Sequence, residues 1–174
     1  SGRGFFILAP KIGADPRFTR DGSFSLDALG NIVTTDGFNV SGYRRDEIDG
    51  LIKNSAEPLN VPLSITTKEG RDVSLTGINV DAYGNIETTY GLNNIVQRGQ
   101  IALAKFNNDT ELKSIGANSY QVTQKSGGQI LGSALQGSFG QIISGTLESS
   151  NTNISNELVS LLRTQQAYNG NARI

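Results

Sequence analysis

The chain has 174 residues, of which 36% are apolar and 18% charged, with a formal net charge of −1. That balance excludes a nucleic-acid binder that works by neutralising phosphates, and it excludes electrostatic docking on an anionic membrane. The absence of Cys, His, Met and Trp excludes disulfides, thiolate nucleophiles and Cys- or His-ligated metals, and it removes the commonest general base.

An enzyme is therefore not expected, and no catalytic, cofactor-binding or metal-ligating residue is assigned. The 21 glycines and the abundance of Ser, Thr, Asn and Gln suit short strands joined by turns, while recurring Phe, Ile, Leu and Val argue against disorder. No apolar run approaches the ~18–20 residues needed to span a bilayer. No secretory signal peptide is visible.

In chain order, Gly4 to Leu8 (GFFIL) predicts a buried strand. Phe18-Thr19-Arg20 and Ser23-Phe24-Ser25-Leu26 flank Asp21-Gly22, which predicts a hairpin. Further turns are expected at Leu29-Gly30-Asn31 and Asp36-Gly37, so Gly4 to Tyr43 reads as a meander of three or four strands. Residues 43–62 read as a surface connection rich in charge, and Pro58 and Pro62 bracket an edge-type segment. Strands resume around Leu63 to Thr66 and Val73 to Leu75, with Glu69-Gly70-Arg71 as the turn.

An internal repeat follows. Asp27 to Asn39 (DALGNIVTTDGFN) and Asp81 to Asn93 (DAYGNIETTYGLN) agree at nine of thirteen positions. Each copy is a D-A-x-G-N turn feeding a strand, in which Asp bonds its own turn and Gly takes the left-handed position. Convergence on a favourable turn and duplication of a β-unit both explain it. Ile95 to Phe106 is the longest strand-like run, possible as two strands bent at Gly99. Short strands follow over Lys113 to Val122 and Gln129 to Leu131, then a Gly/Ser-rich loop from Gly132 to Gly140.

From Asn153 the period changes. Ile154, Leu158, Leu161, Gln165, Tyr168 and Ala172 recur in steps of four and three, and Val159 and Leu162 widen the same face. This is helical spacing with a coiled-coil-like seam. Asn153 is a suitable N-cap, and Glu157 in the first turn favours the helix dipole. The fold class is therefore mainly β: a domain of short strands and hairpins over 1–150, followed by an amphipathic α-helix over 151–174 that is expected to be truncated. Ile154, Leu158, Leu161, Leu162, Gln165 and Tyr168 are the expected assembly interface.

Two other classes were weighed on residues. A carbohydrate-binding or adhesin-like module would need a groove lined by Tyr43, Tyr83, Tyr90 and Tyr120. A carboxylate enzyme would need two of Asp46, Glu47, Asp49 and Asp81 facing each other across a cleft.

Three ordered blocks resemble the hook and rod proteins of the bacterial flagellum. The first is Gly2-Arg3-Gly4-Phe5-Phe6-Ile7-Leu8 followed by Phe18 to Asp27, Gly30-Asn31 and Asp36-Gly37. It is similar to the family's GxGFF strand, TRDGSF hairpin and LDxxGNLVTxDG turn. The second is Gly99 to Phe106 (GQIALAKF), with Leu112, Gly116 to Tyr120 and Ser126-Gly127. The third is Ser144 to Asn151, then Glu157-Leu158-Val159 and Gln165-Gln166-Ala167-Tyr168. It looks like SGxLExSN followed by ELVxxIxxQRAY, with Gln166 where Arg is usual and Gly170 where Ala is usual.

The resemblance implies a self-assembling axial subunit that polymerises with copies of itself and neighbouring axial proteins into a tube. That tube transmits torque and encloses an export channel. It also implies terminal helices lining the tube wall, largely missing here, so this fragment is expected to be monomeric. The second block favours the hook protein, which is the first expectation; the compact length favours a rod protein, the distal one, which comes next.

Overall fold

The computed structural model describes residues 4–142 and the short strand Glu148–Ser149. The fold is mainly β. The expected helix over 151–174, including Ile154, Leu158, Leu161, Leu162, Gln165 and Tyr168, lies outside the described residues. None of the described helical segments is long and apolar enough to cross a membrane.

Two strands carry the architecture. β1 (Phe5–Leu8) is buried along its whole length. β11 (Asn94–Lys105) is one continuous twelve-residue strand, not two. They pair antiparallel, with Phe5 opposite Ala104 and Phe6 opposite Leu103. Side chains alternate across a strand, and here both sides are buried. Phe6, Leu8, Ile101 and Leu103 enter one hydrophobic cluster, while Phe5, Ile7, Ala102 and Ala104 enter another. That double burial explains why FFIL and IALA read as runs without polar alternation.

The other strands build outward from this pair. β2 (Arg17–Thr19) lies on β1, then β13 (Ser119–Gln121) and β12 (Lys113–Ser114) extend that side. On the other side, β10 (Asn85–Tyr90), β9 (Asp72–Val80) and β8 (Ser64–Thr66) follow β11 as antiparallel neighbours. β5 (Ser41–Asp46) and β14 (Ile130–Ser133) also pair with β11. β6 (Gly50–Leu51) and β7 (Glu57–Pro58) hang on β5. A separate sheet has the order β15 (Glu148–Ser149), β3 (Phe24–Leu26), β4 (Ile32–Thr34), with β15 parallel to β3.

Two expectations are corrected here. Asp21-Gly22 does not close a hairpin, because β2 and β3 belong to different sheets. It is a corner: Asp21 Oδ1 accepts from the Ser23 N–H at 2.9 Å, and the Thr19 hydroxyl oxygen accepts from the Asp21 N–H at 3.0 Å. Gly4 to Tyr43 is accordingly divided between two sheets rather than one meander. Second, the segment between Pro58 and Pro62 is not an edge. Leu59 and Val61 are core residues. Their N–H groups donate to the Val40 and Gly30 carbonyls at 2.9 and 2.7 Å. Of the 43–62 connection, Arg44, Arg45 and Glu47 to Asp49 are exposed as expected, whereas Tyr43 is buried with Leu59 and Val61.

The two repeats fold into matching turns. Asp27 Oδ1 accepts from the N–H groups of Leu29 and Asn31, and Oδ2 from the Asn31 amide. Asp81 does the same with Tyr83 and Asn85. The match extends to the segment docked on each turn. Gly30 and Gly84 carbonyls accept from Val61 and Ile101 N–H at 2.7 and 2.9 Å. Leu29 and Tyr83 carbonyls accept from the Asn60 and Gln100 side-chain amides at 2.9 and 3.0 Å. The copies then part. The first turns again at Thr34 to Phe38, while the second continues as β10 to Tyr90.

Gly30 is obligatory on two counts. Its φ is +83°, and a Cβ there would lie 2.0 Å from the Val61 carbonyl oxygen. Gly37 has a similar φ of +85° but opens onto free space. Gly37→Ala should therefore cost only the left-handed penalty, about 1–2 kcal/mol. Gly30→Ala should cost more than 3 kcal/mol, because the docked strand must also move. Urea unfolding of the pair separates the two contributions.

Burial pushes the Asp27 carboxyl upward, but hydrogen bonds from the Asn31 side chain and the Asn31, Leu29 and Gly30 backbone outweigh it and hold the group below the usual carboxylate range. A depressed folded pKa stabilises above the unfolded value, ~3.9, and that contribution is lost as pH falls through the folded pKa. Asp27→Asn should thus cost roughly 1–2 kcal/mol at neutral pH. The gap to the parent should close as pH falls below the unfolded value, ~3.9, and through the lower folded one in acid-unfolding curves.

Candidate assembly surface

The described surface places large apolar side chains at the apices of tight turns. Turns favour Gly, Asn, Asp, Ser and Pro, because those residues supply the backbone angles or the local hydrogen bonds. Here the polar residues do that work and an apolar neighbour is left outside. In the repeat turns the exposed apex is Leu29 in one copy and Tyr83 in the other. In the β5–β6 turn it is Ile48, 92% exposed, whose N–H is held by Asp46 Oδ1 at 2.8 Å. In the β10–β11 hairpin it is Leu92, 99% exposed, beside Gly91 with φ +62°. Ile12 stands fully exposed in the turn closed by the Ala14 N–H to Lys11 carbonyl bond at 2.9 Å.

Single exposed apolar residues are ordinary. These differ in being held out by turns whose hydrogen bonds do not involve their side chains. Burying one such side chain against a partner stabilises the contact by about 1.5–3 kcal/mol. The sequence signal is a large apolar residue inside a turn, as in Asp27-Ala28-Leu29-Gly30. That pattern predicts the turn and is silent on the side chain at its apex.

Tyr43, Tyr83, Tyr90 and Tyr120 do not form a carbohydrate groove. Tyr43 and Tyr90 are 3% and 0% exposed and sit in different hydrophobic clusters. Burial pushes the Tyr43 hydroxyl pKa upward. Tyr90 donates its hydroxyl to the Pro62 carbonyl at 2.7 Å. Tyr120 is half-buried, edge-on to Phe5 with centroids 5.8 Å apart, and Tyr83 alone is well exposed.

The carboxylates are turn-formers. Asp46 accepts from the Ile48 and Asp49 N–H groups, which hold its carboxyl below the usual range. Asp81 is occupied by its own turn. Glu47 and Asp49 are exposed beside Asp46. Among the described residues no group of three or more acidic side chains is placed to hold a metal ion.

Comparison with known proteins agrees with the three sequence blocks. The family model for the flagellar hook protein FlgE/F/G D1 domain matches residues 1–103. That for the flagellar basal body rod FlgEFG protein C-terminal region matches 143–174. The flagellar basal-body rod protein FlgG of Buchnera aphidicola subsp. Acyrthosiphon pisum is 33% identical over 99% of this chain and 57% of its own length. The flagellar hook protein FlgE of Escherichia coli K12 is 31% identical over 90% of this chain and 44% of its own length. The corresponding hook protein of Salmonella typhimurium is 37% identical over 90% and 39%. The chain thus spans little more than half the length of the rod relatives it matches, and less of the hook relatives. With a family model covering its first 103 residues and rod relatives aligned along nearly all of it, the chain belongs to the flagellar hook and basal-body rod protein family.

Proposed function

We propose that this chain is the core of an axial subunit of the bacterial flagellum, a non-catalytic building block. It polymerises with copies of itself and with neighbouring axial proteins into a tube that carries motor torque and encloses the export channel. The observation that carries this reading is the alignment of rod relatives along the whole chain. The exposed apices fit it: Ile12, Leu29, Ile48, Tyr83 and Leu92 are contact points for neighbours that an isolated domain has no use for. Contacts between different faces of identical subunits do not close on themselves, and they generate helical tubes.

In this reading residues 1–150 form an outer β-layer, and 151–174 belong to an inner helical layer. Ile154, Leu158, Leu161, Leu162, Gln165 and Tyr168 then pack on other axial helices. Rod relatives align over 99% of the chain, against 90% for the hook proteins. That supports a rod position over the hook.

Deleting the gene in its source bacterium should abolish swimming and leave incomplete hook–basal bodies by electron microscopy. Complete hook–basal bodies in the deletion strain would sink the proposal. In full-length protein, Ile48→Ser with Leu92→Ser should change stability by less than about 0.5 kcal/mol, as expected of surface sites, while shrinking the swimming zone at least severalfold. Leu161→Asp should leave the thermal transition of the β-domain in place and block assembly completely. Normal motility with that variant would remove the seam from the interface.

A further inference from the structure

Arg98 is the basic side chain with the least ordinary surroundings. Its Nη2 donates to the Tyr90 hydroxyl at 2.8 Å, and its Cζ lies 5.3 Å from the Tyr90 ring centroid. Its Nε is shut off from solvent and has no hydrogen-bond partner. The Tyr90 hydroxyl already donates to the Pro62 carbonyl. The ion pairs among the described residues are Arg20 with Asp109 and Arg44 with Glu57, so no described carboxylate lies within ion-pair distance of Arg98. A guanidinium that has lost part of its water without gaining a counter-ion is costly, and an anion placed near it regains much of that cost.

Arg98 lines an open pocket of about 330 Å³ with Arg44, Arg45 and Glu47, against an apolar wall that includes Pro58 and Val96. Arg44 is already paired with Glu57, which leaves Arg45 and Arg98 beside the one carboxylate of Glu47, in a chain whose overall charge is −1. The positive charge is therefore local. The apolar wall suits the carbon stem of a protein side chain better than it suits a small inorganic ion, which gains nothing from such a surface.

We propose that this pocket receives a carboxylate side chain from a second copy of the chain, in a head-to-tail contact that rests on the axial reading above. Asp36 and Glu69 do not line the pocket and are exposed in turns; Asp36 accepts from the Thr34 hydroxyl through Oδ1 at 2.6 Å, which leaves its Oδ2 for such a contact. A pocket on one copy that takes a different residue of the next makes a heterologous contact, the kind that propagates instead of closing. Arginine forks recognise carboxylates with direction as well as charge, so the contact also fixes the register of one subunit on the next.

The test uses full-length protein in its source bacterium. Arg45→Glu changes an exposed residue and should keep the parent thermal transition while reducing complete axial structures at least tenfold. Arg98→Lys keeps the charge but loses the fork, and should reduce them by a smaller factor. Either Asp36→Arg or Glu69→Arg should restore assembly to the Arg45→Glu subunit and so identify the donor. If Arg45→Glu and Arg98→Lys both assemble at parent level, the pocket is not a contact and the inference is overturned, while the axial reading stands. If neither reversal rescues, the acid does not come from these turns of a second copy, and the proposal fails in that form. Loss of the whole gene without consequence would instead sink the axial reading itself.

Discussion

The structure depends on one shared wall. β1 and β11 stand side by side with both faces buried, so a single pair of strands serves two hydrophobic cores. Branched and aromatic side chains fill one face of that wall. On the other, Ala102 and Ala104 leave room for Phe5, Phe18, Tyr43 and Phe106. The Phe18 and Phe106 rings meet edge-on at 4.9 Å, and Phe5 meets Phe106 at 5.6 Å. The small residues are the space that these rings require. A slip of one residue in the pairing would exchange the two sets and place isoleucine and leucine where only alanine fits. The register is therefore fixed by volume as well as by hydrogen bonds.

From that wall the constraint spreads through close backbone contacts. A Cβ on Gly99 would lie 2.5 Å from the Tyr43 carbonyl oxygen, and one on Gly42 would lie 2.3 Å from that of Gln100. β5 thus lies against β11 where only glycines permit it. Further along, Gln100 ties the second repeat turn to the wall. Its amide donates to the Tyr83 carbonyl, and its Oε1 accepts from the buried Ser133 hydroxyl at 2.9 Å. Lys53 donates to that same hydroxyl oxygen at 3.2 Å. The turns are therefore held from inside, and the side chains at their apices have no route back to the core. This links packing to the proposed role: an apolar contact point that cannot collapse inward loses little freedom when a neighbour covers it.

Much of this was legible in residues, for identifiable reasons. The β1 and β11 runs announced themselves by lacking polar alternation, and the D-A-x-G-N turns by Asp and Gly at fixed offsets. Asp21-Gly22 misled because turn chemistry reports that a chain bends, not whether its flanks then pair. There, Phe18 and Phe24 go to different clusters, and that separation decides the matter. The Pro58 to Pro62 segment misled in the opposite way. Proline lacks a donor, but the intervening Leu59 and Val61 donors each find a carbonyl, so these two side chains reach the core while Asn60 between them stays exposed. Tyrosine burial was not legible at all, since an amphipathic ring serves equally in a groove or a core. The pocket at Arg98 draws on β5, β7, β10 and β11, and no local pattern brings those together.

The repeat bears on how a body of this kind resists load. In each copy an outer turn is clamped to a docked strand by two bonds to adjacent carbonyls, those of Leu29 and Gly30 or of Tyr83 and Gly84. Opening such a clamp means breaking both bonds together; in the second copy the Tyr83 carbonyl bond is part-buried, where a lost donor costs more than it does at the exposed Leu29 carbonyl. Force applied at Leu29 or Tyr83 therefore passes directly into Val61 or Ile101, and from there into the larger hydrophobic cluster. The second docked residue, Ile101, lies on β11 itself. Whichever way the repeat arose, it places two stiff struts between the surface and the interior. The axial role proposed above would need contact points joined to the core in this way.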